Sequence, residues 1–154
     1  TSKHEVANVP QIIVDYFNEL PQVPDTRFIV AGYDAVDFGK QQLLYKVNVK
    51  SKKIEQIDTS AQGASWDGET FTLTRLVQNV AVKMNDGKYI DLPFEDILWG
   101  YFTLQDAIDF ARYAVETTIQ TMHFKNVVET VGGAVDILVI TPDETKWLQK
   151  EQLF

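Results

Sequence analysis

The first residue of the chain is the first candidate for catalytic chemistry. Thr1 carries a hydroxyl group and, if the natural chain begins there, a free α-amine. An α-amine has an ordinary pKa of about 8 and can act as the general base for a neighbouring hydroxyl nucleophile. However, Ser2 to Glu5 are polar and show no strand pattern that would hold such a nucleophile rigidly. Thr1 is therefore a candidate nucleophile, and an arbitrary or proteolytic start is the favoured alternative.

Histidines, cysteines and nucleotide-binding motifs offer little support for other chemistry. His4 and His123 are the only histidines, and neither belongs to an HExxH or comparable metal-binding pattern. The chain has no cysteine, which excludes disulfides, thiolate metal sites and a cysteine nucleophile within it. It has neither a GxGxxG nor a P-loop motif. We therefore expect no metal site and no cofactor.

Two pairs of acidic residues have the spacing for acid–base catalysis. They are Glu95 with Asp96 and Asp106 with Asp109. The second pair lies in the first turns of a predicted helix, where the helix dipole favours negative charge. Capping and solvation explain both pairs more simply than catalysis does.

The composition is that of a water-soluble globular protein. Of the 154 residues, 45% are hydrophobic and 23% are charged, which suits one domain with a substantial core. The net charge of −8 and the dispersed Lys and Arg residues argue against nucleic-acid binding, which needs a clustered basic surface. No long stretch is apolar throughout, so no membrane span is expected. The sequence thus predicts a single cytoplasmic domain over residues 1–154.

The first third of the chain predicts a helix followed by three antiparallel strands. Apolar residues recur at helical spacing over residues 8–20, with Asn8 as candidate N-cap and Pro10 in the first turn. The first strand is a continuous apolar run, which predicts burial on both faces, whereas the second alternates between apolar and polar residues. The predicted strands are 28–31, 43–49 and 54–57.

The middle of the chain predicts a loop, a helix and a hairpin. A loop of small residues at 63–68 precedes an amphipathic helix over 71–80. Asp86 and Gly87 form a hairpin turn signal between two short apolar stretches. The aromatic-rich connection after the hairpin is predicted to be a buried loop that holds Phe94, Trp99, Tyr101 and Phe102.

The strongest predicted element is a long helix. Thr103 stands three residues before Asp106 in an arrangement that resembles a capping box, and apolar residues keep helical period to His123. Its stripe of small residues is suited to close packing on a sheet. Two final strands are predicted over 135–140 and 146–148, joined by a turn at Pro142.

Three segments stand in an order and at a spacing that carry a resemblance to a known family. They are IVAGYD at 29–34, DAIDFA at 106–111 and VGGAVDI at 131–137, the last followed by VIT at 139–141 and Trp147. Together they resemble the later part of proteasome β-type subunits and bacterial proteasome-like proteins, which belong to the amino-terminal-nucleophile (Ntn) hydrolase superfamily. The resemblance extends from about Val6 to Leu153.

The resemblance implies an α+β fold, a four-layer α-β-β-α sandwich whose first strands lie in the middle of its sheets. In that family the nucleophile is a threonine that opens the first strand, whereas this chain opens on a helix similar to a later one. The resemblance therefore implies that Thr1 is misplaced and that amino-terminal strands are missing from this chain. Because their loss would leave backbone groups unpaired and an apolar face in water, we expect an amino-terminal segment or companion chain to complete the fold. Family members also assemble, which implies a homo-oligomer.

The resemblance assigns further positions to the lining of the site. In active relatives, a loop before the third helix places a serine beside the nucleophile. Here Gln62 or Gly63 occupies that serine's place, and Ser65 takes it only if the loop is shifted. The first two assignments weaken the expectation of catalysis.

A second site loop is implied around the Gly-Gly motif. Active relatives carry an Asp and a Ser near this motif, and the register fixed by Gly132 and Gly133 gives their places to Val128 and Val131. Valine can neither hydrogen-bond nor take a proton through its side chain. The two glycines are expected at a tight turn with close backbone approach.

Three functions fit the sequence. The first is an amide- or peptide-bond hydrolase of the threonine-protease type, whose nucleophile lies upstream of this chain. The second is a non-catalytic structural or assembly subunit with the same fold, which the valines at 128 and 131 favour. The third is an unrelated α/β binding module, which a single mixed sheet would indicate.

Overall fold

The computed structural model describes residues 5–125 and 128–151 and has a mixed α+β architecture. The chain divides into two compact units. The first comprises the chain up to Gly63 together with Leu138–Lys146, and the second comprises Ala64–Ile137 together with the chain from Trp147 onward.

The first unit begins with a 3₁₀ turn, Val6–Asn8, that leads into helix α1, Val9–Asn18. The predicted first helix is thus confirmed. Asn8 occupies the N-cap position, but its side chain makes no capping bond; its Nδ2 donates to Glu5 Oε2 at 3.4 Å instead. Pro10 lies in the first turn, where its missing N–H leaves no backbone bond unmade.

Three antiparallel strands follow, as the sequence predicted. They are β1 (Arg27–Val36), β2 (Gly39–Asn48) and β3 (Lys53–Gln56), in the order β1-β2-β3. The register pairs Val30 with Tyr45, and Val47 with Ile54. On β2, Leu43, Tyr45 and Val47 are buried while the residues between them are not. This alternation places one face of the sheet in the core and the other toward solvent.

Strand β1 differs from its prediction. It was expected to be buried on both faces, but Phe28 and Val30 are half-buried while Ile29 and Ala31 between them are exposed. Apolar residues on the outer face are therefore exposed, and nothing in the described part of the chain covers them. On the inner face, the Phe17 ring of α1 lies 5.5 Å from the Phe28 ring.

The 3₁₀ turn is bound to β1 by two hydrogen bonds to one side chain of the strand. Asp34 Oδ1 accepts a hydrogen bond from the Val6 backbone N–H at 2.6 Å, and Oδ2 accepts one from Ala7 at 2.9 Å. A Cβ at Gly32 would come within 2.8 Å of a Val6 methyl group, so glycine permits this close approach. The turn therefore rests directly on the strand.

The second unit contains helix α2, Phe71–Val77, and a hairpin of strands β4 (Ala81–Lys83) and β5 (Tyr89–Asp91). The hairpin is confirmed: Gly87 adopts a φ of 84°, and Asp86 Oδ1 accepts a hydrogen bond from the Lys88 backbone at 3.0 Å. Helix α2 is shorter than predicted. It ends at Val77 because Gln78 adopts an extended conformation.

The aromatic connection after the hairpin is not the buried loop that was predicted. Tyr101 is 83% exposed and Phe94 is 38% exposed. Only its middle packs: Trp99, in a short 3₁₀ turn, lies 4.9 Å from the Phe110 ring and 5.1 Å from the Phe102 ring. Aromatic content alone did not distinguish these half-buried rings from the exposed ones.

Helix α3, Leu104–His123, is confirmed together with its capping box. Asp106 N–H donates to Thr103 Oγ1 at 3.2 Å, and Thr103 N–H donates to Asp106 Oδ2 at 2.8 Å. These bonds account for Asp106 without a catalytic role. The helix packs against α2, and Ala107 and Ala111 of its small-residue stripe are exposed, in contrast to the predicted packing on a sheet.

The final strands are β6 (Ile137–Ile140) and β7 (Thr145–Gln149), which form a two-stranded sheet as predicted. At the turn between them, Thr141 N–H donates to Glu144 O at 2.8 Å. The described residues thus form three small sheets, of three, two and two strands.

Many large apolar side chains of the described residues are exposed to solvent, among them Phe38, Leu98 and Phe124. Among the described residues, the buried apolar side chains are Pro10, Val14, Leu43, Tyr45, Val47, Val49, Leu73, Met122 and Ile137.

Candidate functional site

The second unit contains an open cavity of about 360 Å³, which we call the α2–α3 cavity. Helix α2 contributes Phe71, Thr72 and Arg75 to its wall. Met122 comes from the last turn of α3, and Lys125 follows the end of that helix. Because α2 and α3 pack together, residues that are far apart in sequence meet around one small volume.

Two cations of this cavity lie near the same aromatic ring. Phe71 and Arg75 are four residues apart on one helix and so lie on the same face. The Arg75 guanidinium carbon is 3.9 Å from the centre of the Phe71 ring, and Lys125 Nζ is 5.2 Å from it. Both distances are within the range of cation–π attraction.

The charge of the lining is unbalanced toward positive. Glu69 is the one carboxylate among the described lining residues, against the cations of Arg75 and Lys125. Within residues 5–125 and 128–151, none of these three side chains forms an ion pair. Both cations therefore remain available to an anionic group from outside.

The rest of the cavity is apolar with hydroxyl groups. Met122 is 5% exposed and Thr72 is 8% exposed, so these two residues form the inner part of the lining. Thr130 Oγ1 lies 3.9 Å from Met122 Sδ, and Val128 adds an apolar side chain that is 82% exposed. Sequence reasoning missed this cavity, although Phe71 and Arg75 at helical spacing were a readable signal for a cation–π pair.

The first unit has a larger and more polar cavity of about 550 Å³. Thr59 Oγ1 in its wall donates to Gln42 O at 3.1 Å. Backbone and side-chain hydrogen bonds from Ser60 lower the pKa of Asp58. Some of its polar groups are thus already bonded to one another. Its polar lining residues are Gln41, Gln42, Gln56, Asp58, Thr59 and Ser60.

The residues predicted for the loop before the third helix lie in an irregular segment. Gln62 and Gly63 are exposed and belong to the first unit, whereas Ser65 is half-buried and belongs to the second. The assignment of the serine's place among these three residues stays a prediction. Thr1 and His4 lie outside the described residues.

The Gly-Gly loop is only in part what was expected. Gly133 has a φ of 88°, which supports the expected tight turn. Close backbone approach is not found among the described residues: beyond the two adjacent residues, a Cβ at Gly63, Gly132 or Gly133 would meet none of their atoms within 4 Å. Val131 is half-buried in the same loop. The positive φ of Gly133 therefore explains why a glycine stands at position 133. Crowding does not explain the glycine at position 132.

Val128 is the predicted position that the structure brings to a cavity. It lines the α2–α3 cavity together with Thr130, two residues further along the same loop. The predicted residues Val131, Gly132 and Gly133 follow directly in sequence, but they are not among the lining residues. One end of the predicted site loop thus borders the cavity.

His123 has a local partner. Its Nδ1 lies 3.3 Å from Glu129 Oε1, and both side chains are exposed. In the described part of the chain, no group of His, Asp and Glu residues has the arrangement of a metal site. None of the helices described is both long enough and apolar enough to cross a membrane.

Comparison with protein-family models, with curated proteins and with solved structures gives no match for this chain.

Proposed function

We propose that this chain is the carboxy-terminal part of a proteasome-like amide-bond hydrolase of the Ntn class. The proposed fold is the four-layer α-β-β-α sandwich, completed by an amino-terminal segment or companion chain that supplies the nucleophile. The observation that carries the proposal is the place of Val128 in the wall of the α2–α3 cavity. The resemblance gives this residue the place of an Asp that supports the nucleophile in active family members, and the cavity provides room for a substrate group beside it.

The order of the elements supports the same proposal. Helix α1, a three-stranded sheet, α2, α3 and two strands follow one another in the order on which the resemblance rests, and the hairpin is inserted between α2 and α3. The three resembling segments fall on β1, on α3 and on the approach to β6. Local structure is thus compatible with the family in each of these places.

The exposed apolar surface supports completion by further polypeptide. The outer face of β1 is solvated at Ile29, and β1 pairs along one edge, with β2. Unpaired strand edges and apolar faces are places where further strands add. A completing segment or neighbouring subunits would cover such surfaces, in line with the proposed homo-oligomer.

In this proposal the chemistry comes from the completing segment. The described lining of the α2–α3 cavity offers the hydroxyls of Thr72 and Thr130 but no histidine that could serve as their base. An amino-terminal Thr, Ser or Cys brings its own base, since its α-amine takes the proton of its side chain. This chain would then position the substrate rather than attack it.

A non-catalytic assembly subunit is the second candidate, and a specific observation favours it. The resemblance gives Val128 and Val131 the places of an Asp and a Ser of active family members, and neither valine can support a nucleophile by hydrogen bonding. Val128 is 82% exposed, so its side chain is open to a neighbouring surface. The apolar surface described above would then be an assembly surface.

The test is to isolate the protein from its natural source and analyse it under denaturing conditions. Intact mass and amino-terminal sequencing reveal any companion polypeptide. Treatment of the native material with a peptide vinyl sulfone, which alkylates active nucleophiles, then reveals whether one is present. The hydrolase predicts a polypeptide that opens with Thr, Ser or Cys on a strand pattern and is labelled at that residue.

The other outcomes separate the candidates. A companion segment that is never labelled, in an assembly of many copies, indicates the structural subunit. A folded monomer of this chain with neither companion nor label would show that the completed-fold proposal is wrong.

A further inference from the structure

We infer that the α2–α3 cavity binds a carboxylate attached to an apolar body. The inference rests on the side chains that meet there: Arg75 and Lys125 beside the Phe71 ring, with Met122 and Thr72 behind them. None of these residues was singled out as a site by the sequence.

The charge of the cavity selects an anion. Two cations converge on one ring while the chain as a whole carries a net charge of −8. Within the described residues, neither Arg75 nor Lys125 forms an ion pair with a carboxylate. A guanidinium group presents paired N–H donors that match the two oxygens of a carboxylate. The ammonium of Lys125 adds a second point of attraction.

The remaining lining selects an apolar body. Phe71 is 51% exposed, so part of its ring is available to a ligand. The Met122 side chain adds a flexible apolar contact, and the exposed Val128 adds a second apolar contact. The hydroxyl groups of Thr72 and Thr130 add hydrogen-bonding capacity. A volume of about 360 Å³ is within the range of small-molecule sites.

The alternative is that Arg75 and Lys125 only stabilise α2 and the end of α3 by stacking on Phe71. A cation–π contact, here 3.9 Å from the Arg75 guanidinium carbon to the ring centre, is made without a hydrogen bond. The contact therefore does not consume the N–H donors with which Arg75 would bind an anion. Glu69 lies at the same cavity and opposes anion binding, which limits the expected affinity.

The inference does not depend on the proposed function. Hydrolysis of an amide bond releases a new carboxylate, so a hydrolase could hold its product in such a cavity. A binding measurement tests the cavity whether or not a nucleophile is present, and its failure would leave the hydrolase proposal standing.

The chain offers an internal control for this measurement, because its 2 methionines lie in different places. Met122 is 5% exposed in the cavity, and Met84 is 45% exposed next to the β4–β5 hairpin. With ¹³C-methyl-labelled methionine, each gives one NMR signal, and Met84→Leu assigns them. The probes are N-acetyl-phenylalanine and its uncharged amide, which differ only at the carboxylate. Titrations with 4-phenylbutyrate and with inorganic phosphate test a simple acid and a bare anion.

We expect N-acetyl-phenylalanine to shift the Met122 signal saturably and to leave the Met84 signal unchanged. It should bind about tenfold more tightly than the amide, because charge-assisted hydrogen bonds are stronger than neutral ones. Arg75→Gln and Lys125→Gln should each weaken the acid about tenfold and leave the amide unchanged. Arg112→Gln, on α3 outside the cavity, is the matched control and should have no effect. If 4-phenylbutyrate binds as tightly as N-acetyl-phenylalanine, the ligand of the cavity is a simple free acid. If it binds more weakly, the ligand is a peptide carboxy terminus.

Three results would overturn the inference. They are equal affinity for acid and amide, a shift of Met84 without Met122, and phosphate binding as tight as that of the acid. The last result would indicate a site for a bare anion.

Discussion

Asp34 Oδ1 on β1 accepts a hydrogen bond from the Val6 backbone N–H at 2.6 Å, although the two residues are 28 positions apart in the sequence. Asp34 Oδ2 accepts a second hydrogen bond, from the Ala7 backbone N–H at 2.9 Å. One side chain thus binds two backbone amides that precede α1. Amides at a helix start have no partner within the helix itself. Asp34 therefore acts as a cap supplied from a distant strand.

Replacement of Asp34 by alanine should destabilise the first unit. Loss of two charge-assisted hydrogen bonds predicts a decrease of about 2–3 kcal/mol in the free energy of unfolding, and Asp34→Asn should lose less because one oxygen acceptor remains. Urea denaturation measures both. Asp25→Ala is the control, since Asp25 forms only an exposed ion pair with Lys50 and should change stability little. Equal effects at the two positions would contradict the capping role.

The capping box of α3 gives a second prediction. Thr103→Ala removes the acceptor of the Asp106 N–H and should decrease stability by about 1 kcal/mol, a typical cost for a lost N-cap. Thr103→Ser keeps the hydroxyl and should restore most of the loss. Thermal denaturation followed by circular dichroism distinguishes them. If serine were as destabilising as alanine, the methyl group rather than the hydrogen bond would matter.

The same box makes stability depend on pH. Hydrogen bonds from the Thr103 side chain and backbone lower the pKa of Asp106 below its ordinary value of 3.8. A carboxyl whose pKa is lower in the folded state stabilises the fold above its ordinary pKa, and this stabilisation is lost as pH falls through the folded value. Asp106→Asn should therefore lower the urea midpoint at neutral pH and have a progressively smaller effect below pH 3.8.

Asp109→Asn on the same helix leaves the box intact and is the control for that pH profile. A constant difference between wild type and Asp106→Asn from neutral to strongly acidic pH would exclude the proposed linkage.

The two adjacent glycines of the site loop should respond differently to alanine. Gly133 has a φ of 88°, which L-residues with a Cβ rarely adopt, so Gly133→Ala should cost about 1–2 kcal/mol. Apart from its adjacent residues, no described residue lies within 4 Å of a Cβ at Gly132, so Gly132→Ala should be close to neutral. Chemical denaturation of the pair measures the difference. A larger loss at 132 than at 133 would mean that this backbone conformation is wrong.

The β4–β5 hairpin gives a test of the proposed assembly. Val82 and Ile90 are cross-strand partners, and they are 44% and 54% exposed. If subunits cover this face, the double variant Val82→Asp with Ile90→Asp should decrease the sedimentation coefficient. Lys83→Asp, in the same strand, introduces one carboxylate next to that pair and is the control. An unchanged sedimentation coefficient in the double variant would exclude this hairpin from the subunit interface.

Elements with local causes could be predicted from the sequence. Two features depend only on neighbours within a few residues, so their sequence patterns were sufficient to predict them. They are the capping box of Thr103 and Asp106 and the hairpin turn at Asp86 and Gly87. The three-stranded sheet was also predicted because β2 alternates in polarity.

The features that the sequence did not predict depend on interactions between distant segments. The outer face of β1 is apolar at Ile29 yet solvated, and no pattern within the strand encodes what covers it. The α2–α3 cavity joins Arg75 to Lys125 across 50 positions of sequence through helix packing, and so it was not predicted. Val128 lines this cavity, but the role that the resemblance gives to it stays a prediction.

The alternation along β2 has a consequence for folding kinetics. Tyr45, Val47 and Val49 are buried, and Lys46 and Asn48 lie between them. A slip of one residue against β1 would turn the valines to water and Lys46 toward the core. Such a misaligned hairpin would lose its burial energy and bury a charge, so it should dissociate before the rest of the chain condenses on it. Productive folding of the first unit can therefore start from this hairpin without a long-lived mispaired intermediate.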